Sequence, residues 1–187
     1  IAAATWMCAA AAAGGEVTVA GVEQAPMSLL GEMLREMGCT VYANADEVTV
    51  RRTNALMPAS QLIRTGPYPS FPTDMQPLLM APSVLARGRT VFEENMFDNR
   101  YRHVSELNKM GANITVSGKY ALCNGVDRLY GTAVSACDLR GGAALVLAGI
   151  SAEGTTVIKN TEYIDRGYER IEETLAALGA QIRRVRK

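Results

Sequence analysis

Three stretches of the chain share one pattern: LREMGCTV at residues 34–41, LNKMGANI at 107–114 and LAALGAQI at 175–182. Each has a leucine, then Met or Leu three residues later, then glycine, a small residue and, two positions on, Val or Ile. A helix that ends at a glycine before a β-branched run is typical of a helix passing directly into a strand. The pattern therefore predicts one structural unit that the chain uses three times.

The sequence before each copy extends the unit. A glycine and a strand-like run precede the motif each time: GEVTVAG from residue 15, GRTVFEE from 88 and GTTVIKN from 154. From that glycine to the glycine of the motif the distances are 23, 23 and 25 residues. The period of 66–73 residues is long enough for a complete supersecondary unit.

Each unit also contains an apolar segment with high helix propensity, at residues 9–13, 78–86 and 143–152. A helix that is apolar on all sides is normally buried. We expect Gly15, Gly88 and Gly154 to end these helices as C-caps. Pro82 either kinks the second helix or shows that its predicted boundary is wrong.

The remaining elements are a second helix with charges on one face and a closing strand. The closing strands are predicted at CTVYA (39–43), NITVS (113–117) and QIRRV (181–185), with further strands at EVTVRR (47–52) and YALCNGV (120–126). Three like units can bury their apolar helices only against one another. We therefore predict an α/β fold: one domain over 1–187 with pseudo-threefold symmetry, helices inside and sheets outside.

The predicted repeats cover about 1–52, 53–124 and 125–187. The opening IAAATWMCAAAAAGG lacks a basic leader and an initiator Met, so we interpret it as part of a helix in which the given sequence starts, and not as a targeting segment. We expect the chain to be a piece of a longer protein.

Composition excludes several classes of function. The 187 residues carry 19 basic and 19 acidic side chains, which gives no support for a nucleic-acid binder held by bulk charge. There is no apolar run long enough to span a membrane. The four cysteines form no C-x-x-C pair and are expected to be buried free thiols, and a single histidine argues against a zinc site.

Asp74 is the first candidate for chemistry. It follows the stiff, proline-rich residues 65–72, and Thr73 with Gln76 forms a capping-box pattern that would place Asp74 in the first turn of a helix. One interpretation is that the carboxylate only complements the helix dipole. The other is that a rigid loop holds it as a general base.

Three aspartate–arginine pairs stand near predicted element junctions: Asp98 with Arg100, Asp138 with Arg140, and Asp165 with Arg166. They are either local ion pairs or, because they recur in the repeated unit, parts of one anion site. His103 has no visible Ser or Cys partner, which favours a structural role.

Four stretches resemble the enolpyruvyl transferases that act on UDP-N-acetylglucosamine. They are TGPYPSFPTDMQ at 65–76, ENMFDNRYRHVSELNKMGA at 94–112, ACDLRGGAALVLAGISAEGTTVI at 136–158 and EYIDRGYERIEETLAALGAQI at 162–182. The resemblance covers essentially the whole chain. The sister enzymes acting on shikimate 3-phosphate share the fold but not the PYPSFPTDMQ stretch.

The resemblance implies an inside-out α/β barrel domain of three βαβαββ units, one of two domains that face each other across the active site. The chain would be the C-terminal domain, so we expect it to lack transferase activity without the N-terminal one. The family works in the bacterial cytoplasm at the first committed step of peptidoglycan synthesis. Its substrates are phosphoenolpyruvate and UDP-N-acetylglucosamine, with no metal or cofactor.

The resemblance also implies roles for single residues. Asp74 would contact the 3-hydroxyl of the sugar and take its proton, and Met96 would bind the sugar nucleotide through its backbone. Arg166 would grip phosphoenolpyruvate, and Arg100, Asp138 and Arg140 would line the same cleft. Two alternatives stay open: a transferase acting on shikimate 3-phosphate, or a stand-alone domain that binds an anion without catalysis.

Overall fold

The computed structural model describes residues 1–185 as a mixed helix and strand fold, which confirms the α/β prediction. The helices are α1 (Ala2–Ala13), α2 (Gln24–Glu36), α3 (Gln76–Ser83), α4 (Val104–Lys109), α5 (Leu139–Ser151), α6 (Glu162–Asp165) and α7 (Ile171–Ala177), and a 3₁₀ turn spans Thr73–Met75. The strands are β1 (Gly15–Ala20), β2 (Thr40–Ala43), β3 (Glu47–Arg52), β4 (Ile63–Arg64), β5 (Arg89–Glu93), β6 (Asn113–Ser117), β7 (Tyr120–Asn124), β8 (Ala133–Ser135) and β9 (Val157–Lys159).

The repeated motif ends α2, α4 and α7 in the same way. Its glycines, Gly38, Gly111 and Gly179, have φ angles of 92°, 94° and 100°, which only glycine adopts without strain. In the first copy the Cys39 N–H donates to the Leu34 carbonyl at 2.9 Å, and the other two copies repeat this bond at 3.2 and 2.9 Å. This is the Schellman arrangement, so the motif encodes a helix stop three times.

Helices α1, α3 and α5 form the centre of the domain and pack against one another. All eight residues of α3 are buried, and α1 and α5 each bury eight residues. Because the buried positions of these helices are mostly small or apolar residues, their backbones approach closely and the centre of the domain is apolar. One continuous apolar core joins them to the inner faces of the sheets.

The strands form three separate sheets. The first has the order β1-β3-β2 with antiparallel pairs, and the second has the order β4-β5-β7-β6 with β4 parallel to β5. The third is the parallel pair β8-β9. No sheet closes on itself within residues 1–185, so an inside-out barrel stays a prediction at this level.

Only the second unit contains all six elements in the order strand, helix, strand, helix, strand, strand. The strand predicted at residues 181–185 is wrong, because these residues adopt no strand. In the first two units the matching strand pairs with the strand that follows it in the chain. Residues 181–185 have no such partner in the described chain, and a lone extended segment lacks ladder hydrogen bonds.

The predicted helix boundaries also need correction. α1 ends at Ala13 with Gly14 as its cap, and α3 and α5 end at Ser83 and Ser151, before the expected glycines. Pro82 lies in the last turn of α3, where ending the helix one residue later limits the loss of hydrogen bonding. No helix in residues 1–185 combines the length and apolar character needed to cross a bilayer.

Candidate active site

Asp74 lies in the 3₁₀ turn that leads into α3. The predicted capping box is wrong: the turn has no side-chain cap, and the Thr73 hydroxyl instead donates to Oε2 of Glu94 at 2.9 Å. The Gln76 side chain does not reach back to residue 73: its Nε2 lies 3.9 Å from Sδ of Met80, and its Oε1 has no partner in the described residues. The Asp74 carboxylate accepts no hydrogen bond from a helix N–H, and 41% of its side chain is exposed.

Two arginines bind that carboxylate, one at each oxygen. Nη2 of Arg100 donates to Oδ1 of Asp74 at 2.8 Å, and Nε of Arg140 donates to Oδ2 at 3.2 Å. The arginine side chains are only 18% and 16% exposed. Two largely buried guanidinium groups on one accessible carboxylate leave a net positive charge beside a group that can accept a proton.

The two arginines come from different repeat units. Arg100 lies on the loop between β5 and α4, where Asn99 turns the backbone with a φ of 55°. Arg140 lies in the first turn of α5. The local ion-pair interpretation is wrong at both places, since each arginine bonds Asp74 and not its neighbouring aspartate. Asp165 and Arg166 do not form an ion pair with each other either, because Asp165 binds Arg184 at 2.6 and 2.8 Å.

Tyr168 fixes Arg140 from the other side. Its hydroxyl lies 3.3 Å from Nη1 of Arg140 and 2.7 Å from the Thr5 hydroxyl, and its ring lies under the guanidinium at 5.7 Å. The edge of the ring also meets Trp6 of α1, with 6.3 Å between centroids. Tyr168 is 4% exposed, so it joins the start of α1 to the arginine through a rigid, buried contact.

The starts of all three central helices therefore meet at this cluster. Asp74 precedes α3, Arg140 is in the first turn of α5, and Thr5 of α1 is tied to Arg140 through Tyr168. Helix N-termini carry partial positive charge and unpaired N–H groups. Together with two arginines they make this surface suited to an anion.

The other three predicted site residues, Met96, Asp138 and Arg166, make no hydrogen bond to Asp74 or to its two arginines. Met96 is 40% exposed on the loop before Arg100, and its N–H donates to Glu94. Asp138 caps α5, accepting from the Gly141 N–H at 2.7 Å. Arg166 is exposed at the end of α6, and its side chain makes no hydrogen bond or ion pair with residues 1–185.

The Asp74 surface is open. A cleft of about 520 Å³ is lined in part by the loop that carries Arg100. Its lining residues include Phe97, Arg100 and Lys119 but not Asp74. This cleft therefore does not enclose Asp74.

Comparisons with known proteins show the family of the chain. A family model described as EPSP synthase (3-phosphoshikimate 1-carboxyvinyltransferase) matches residues 1–175. The chain belongs to the enolpyruvyl transferase family. Among its curated relatives, UDP-N-acetylglucosamine 1-carboxyvinyltransferase 2 of Caldanaerobacter subterraneus subsp. tengcongensis is 44% identical over 99% of the chain. UDP-N-acetylglucosamine 1-carboxyvinyltransferase of Clostridium botulinum is 46% identical over the same share.

Solved enolpyruvyl transferases have a similar fold. The enolpyruvyl transferase NikO from Streptomyces tendae has a TM-score of 0.82 and 30% identity over 96% of this chain, and the chain covers 42% of that protein. EPSP synthase from Acinetobacter baumannii has a TM-score of 0.67 at 20% identity over 89% of this chain and 42% of that one, which is a likeness of fold alone. The chain spans 44% of the length of the curated relatives named above.

Two residues that support the candidate site were missed by sequence reasoning. Glu94 is 4% exposed and bonds both Thr73 and the Met96 backbone, and Tyr168 holds Arg140. The sequence did offer one signal for Glu94: it is a charged residue at the end of the strand-like run that starts at Gly88. Tyr168 follows Arg166 and Gly167 directly, but nothing local indicates that its partners are Thr5 and Arg140.

The cysteines of the chain are free, and Cys8, Cys39 and Cys123 are buried as predicted. Burial raises the pKa of Cys39 to about 11 and that of Cys123 to about 12. Cys137 is half-buried, contrary to the expectation, and burial and the Asp138 carboxylate raise its pKa to about 11. Thiols held in the protonated form are poor nucleophiles, so none of the four suits a catalytic role.

His103 is fully buried, with no hydrogen-bond partner for either ring nitrogen in residues 1–185. Burial lowers its pKa to about 4, and the Arg100 charge adds to the lowering; the Asp138 charge and a longer contact with the Arg100 backbone act in the opposite direction. The structural role predicted for His103 is supported, because an unpaired neutral imidazole packed inside the domain fills space. It also makes stability depend on pH.

We expect the free energy of unfolding to fall as pH drops from about 6.5 towards 4. The unfolded chain binds a proton at His103 near pH 6.5, and the folded chain only near pH 4, so acid favours the unfolded state between these values. The full effect is about 3 kcal/mol, present above pH 6.5 and lost by pH 4. Urea unfolding at several pH values measures it, with His103→Leu as the comparison. An equal slope in both proteins would contradict the assignment.

Proposed function

We propose that this chain is part of the transferase that moves the enolpyruvyl group of phosphoenolpyruvate to the 3-hydroxyl of UDP-N-acetylglucosamine. The observation that carries the proposal is the accessible Asp74 carboxylate held between Arg100 and Arg140. The choice of acceptor is supported by relatives named UDP-N-acetylglucosamine 1-carboxyvinyltransferase at 44–46% identity, against 20% for the EPSP synthase structure.

In this proposal Asp74 acts as the general base. Each carboxylate oxygen accepts from an arginine but has a second lone-pair direction, so Asp74 can accept the hydroxyl proton without losing either arginine. The hydroxyl oxygen then attacks C2 of phosphoenolpyruvate while C3 gains a proton. In the elimination that follows, C3 loses a proton and phosphate leaves from C2, which restores the double bond. The two arginines fix the carboxylate in position, which contributes by orientation.

The same arginines and Arg166 bind the anion. Phosphoenolpyruvate brings a phosphate and a carboxylate, and guanidinium groups pair with both in bidentate geometry. Arg140 lies in the first turn of α5, at the helix N-terminus, which carries partial positive charge. Asp138 caps that N-terminus. Arg166 is exposed at the end of α6, has no partner side chain in the described residues and is proposed to bind the substrate. Met96 is proposed to contact the sugar nucleotide through its backbone.

The rest of the active site is proposed to come from a separate N-terminal domain. Asp74 and the arginines form an open surface, and the chain covers 44% of the named relatives. An inside-out barrel, with the α1–α3–α5 core surrounded by the three sheets, is the proposed form of the complete domain. The proposed setting is the bacterial cytoplasm, in peptidoglycan synthesis, without a metal or cofactor.

A second candidate function is transfer to shikimate 3-phosphate. The observation in its favour is the family model that matches residues 1–175, whose description names that reaction. The reaction chemistry is the same, so Asp74, Arg100 and Arg140 suit either acceptor.

Steady-state assays separate these functions. The full-length protein that carries this chain is incubated with phosphoenolpyruvate and each acceptor, and released phosphate is measured. We expect release with UDP-N-acetylglucosamine only. Release with shikimate 3-phosphate alone would reverse the choice of acceptor, and release with neither would favour a non-catalytic anion-binding domain. The 187-residue chain alone is expected to release none.

A further inference from the structure

We propose that Glu94 is a positioning residue that fixes Asp74 relative to the loop carrying Met96 and Arg100. Its kinetic consequences rest on the function proposed above. Its structural consequence, an ordered backbone at residues 96–97, does not depend on which acceptor the enzyme uses.

Glu94 accepts three hydrogen bonds, divided between two segments. Oε2 accepts from the Thr73 hydroxyl at 2.9 Å, and Thr73 directly precedes Asp74. Oε1 accepts from the N–H groups of Met96 and Phe97 at 2.9 and 3.2 Å. One side chain thus joins the turn that presents Asp74 to the loop that presents Arg100.

The burial of Glu94 indicates that these bonds matter. The residue is 4% exposed and forms no ion pair within residues 1–185, so only neutral donors compensate its charge. A buried carboxylate without a cation is costly unless its hydrogen bonds are well made. The preceding residue, Glu93, differs: it pairs with Lys119 and Arg64 at 2.6 and 2.7 Å, and these cations lower its pKa.

The geometry of the site depends on this link. The Phe97 ring lies 5.8 Å from the Arg100 guanidinium, and Arg100 contacts Asp74 at 2.8 Å. Glu94 therefore holds both ends of the Asp74–Arg100 contact, through Thr73 on one side and Phe97 on the other. Displacing a catalytic group by about 1 Å can cost 10²-fold in rate.

The kinetic test uses Glu94→Leu in the full-length protein, because leucine keeps most of the volume and cannot accept any of the three hydrogen bonds. We expect kcat to fall about 10- to 100-fold and KM for the sugar nucleotide to rise several-fold, since both Asp74 and the Met96 backbone lose their anchor. Thr73→Val removes only the Oε2 bond and is expected to lower kcat with little change in KM. Glu93→Gln is the matched control, with kcat and KM unchanged.

The structural test is amide hydrogen exchange at Met96 and Phe97 in the same protein, with selective ¹⁵N labelling. Glu94→Ala is expected to speed exchange at both amides at least 10-fold, and Glu93→Gln to leave them unchanged. Unchanged exchange in Glu94→Ala, with the fold retained, would overturn the proposal even if no acceptor were turned over. If Glu94→Ala does not fold, exchange in Glu94→Leu and the kinetics of Thr73→Val decide. Faster exchange with wild-type kinetics would show that Glu94 only shapes the loop, which also overturns the proposal.

Discussion

Replacing Asp74 by asparagine is expected to lower kcat about 10²- to 10⁴-fold, the range for loss of a general base. Asparagine keeps the size of the side chain and can still accept from one arginine through its amide oxygen. It cannot take a proton from the sugar hydroxyl at neutral pH. Because substrate contacts made by Arg100, Arg140 and Arg166 remain, KM for both substrates should change much less than kcat.

The measurement is steady-state phosphate release by the full-length protein, with both substrates varied. Asp98→Asn is the matched control, since Asp98 is an exposed carboxylate on the loop of Arg100 and bonds neither arginine of the cluster. It should leave kcat near the wild-type value. Wild-type turnover in Asp74→Asn would remove the general-base role and leave Asp74 as a brace for the arginines.

The repeat carried most of what could be predicted about the fold. Its glycines require positive φ, and its first leucine, Leu34, Leu107 or Leu175, is buried in each copy, so a short local pattern determines where a helix ends. The structure forms that helix stop three times with the same two hydrogen bonds. The failed strand at residues 181–185 marks the limit: propensity does not make a strand where no neighbouring strand supplies hydrogen bonds.

The partners of the charged residues could not be predicted from local sequence. Asp98, Asp138 and Asp165 stand next to arginines, yet none of these arginines is their partner. The bonds that form join Asp74 to residues 26 and 66 positions away. Side chains adjacent in sequence often point in different directions, and only the arrangement of the units brings distant ones together.

The capping-box error has the same cause. Thr73 and Gln76 have the right spacing for a reciprocal cap, but Glu94, 21 residues away, offers a charged acceptor for the Thr73 hydroxyl. A hydrogen bond to a carboxylate is stronger than one to a neutral backbone group. Tertiary structure therefore overrides the local pattern, and it does so at the residue next to Asp74.

Replacing Arg140 by alanine is expected to lower kcat/KM about 10²- to 10³-fold, the range for loss of one preorganised charged or hydrogen-bonding group in an active site. The change removes the bond to Oδ2 of Asp74, the contact with Tyr168 and a positive charge at the start of α5. Unlike Asp74→Asn, it should raise KM for phosphoenolpyruvate as well as lower kcat, because Arg140 is proposed to bind the anion and to orient the base. Steady-state kinetics with each substrate varied distinguish the two patterns.

Arg140→Lys tests which feature of the arginine matters. Lysine restores the charge but not the planar group that reaches Asp74 through Nε and Tyr168 through Nη1. We expect KM for phosphoenolpyruvate to recover more than kcat, since a point charge still attracts an anion but does not fix the carboxylate. Arg102→Ala, which removes an exposed arginine two residues after Arg100, should leave both constants unchanged. Full recovery of kcat in Arg140→Lys would mean that only the charge is needed, and the orienting role of the guanidinium would then be wrong.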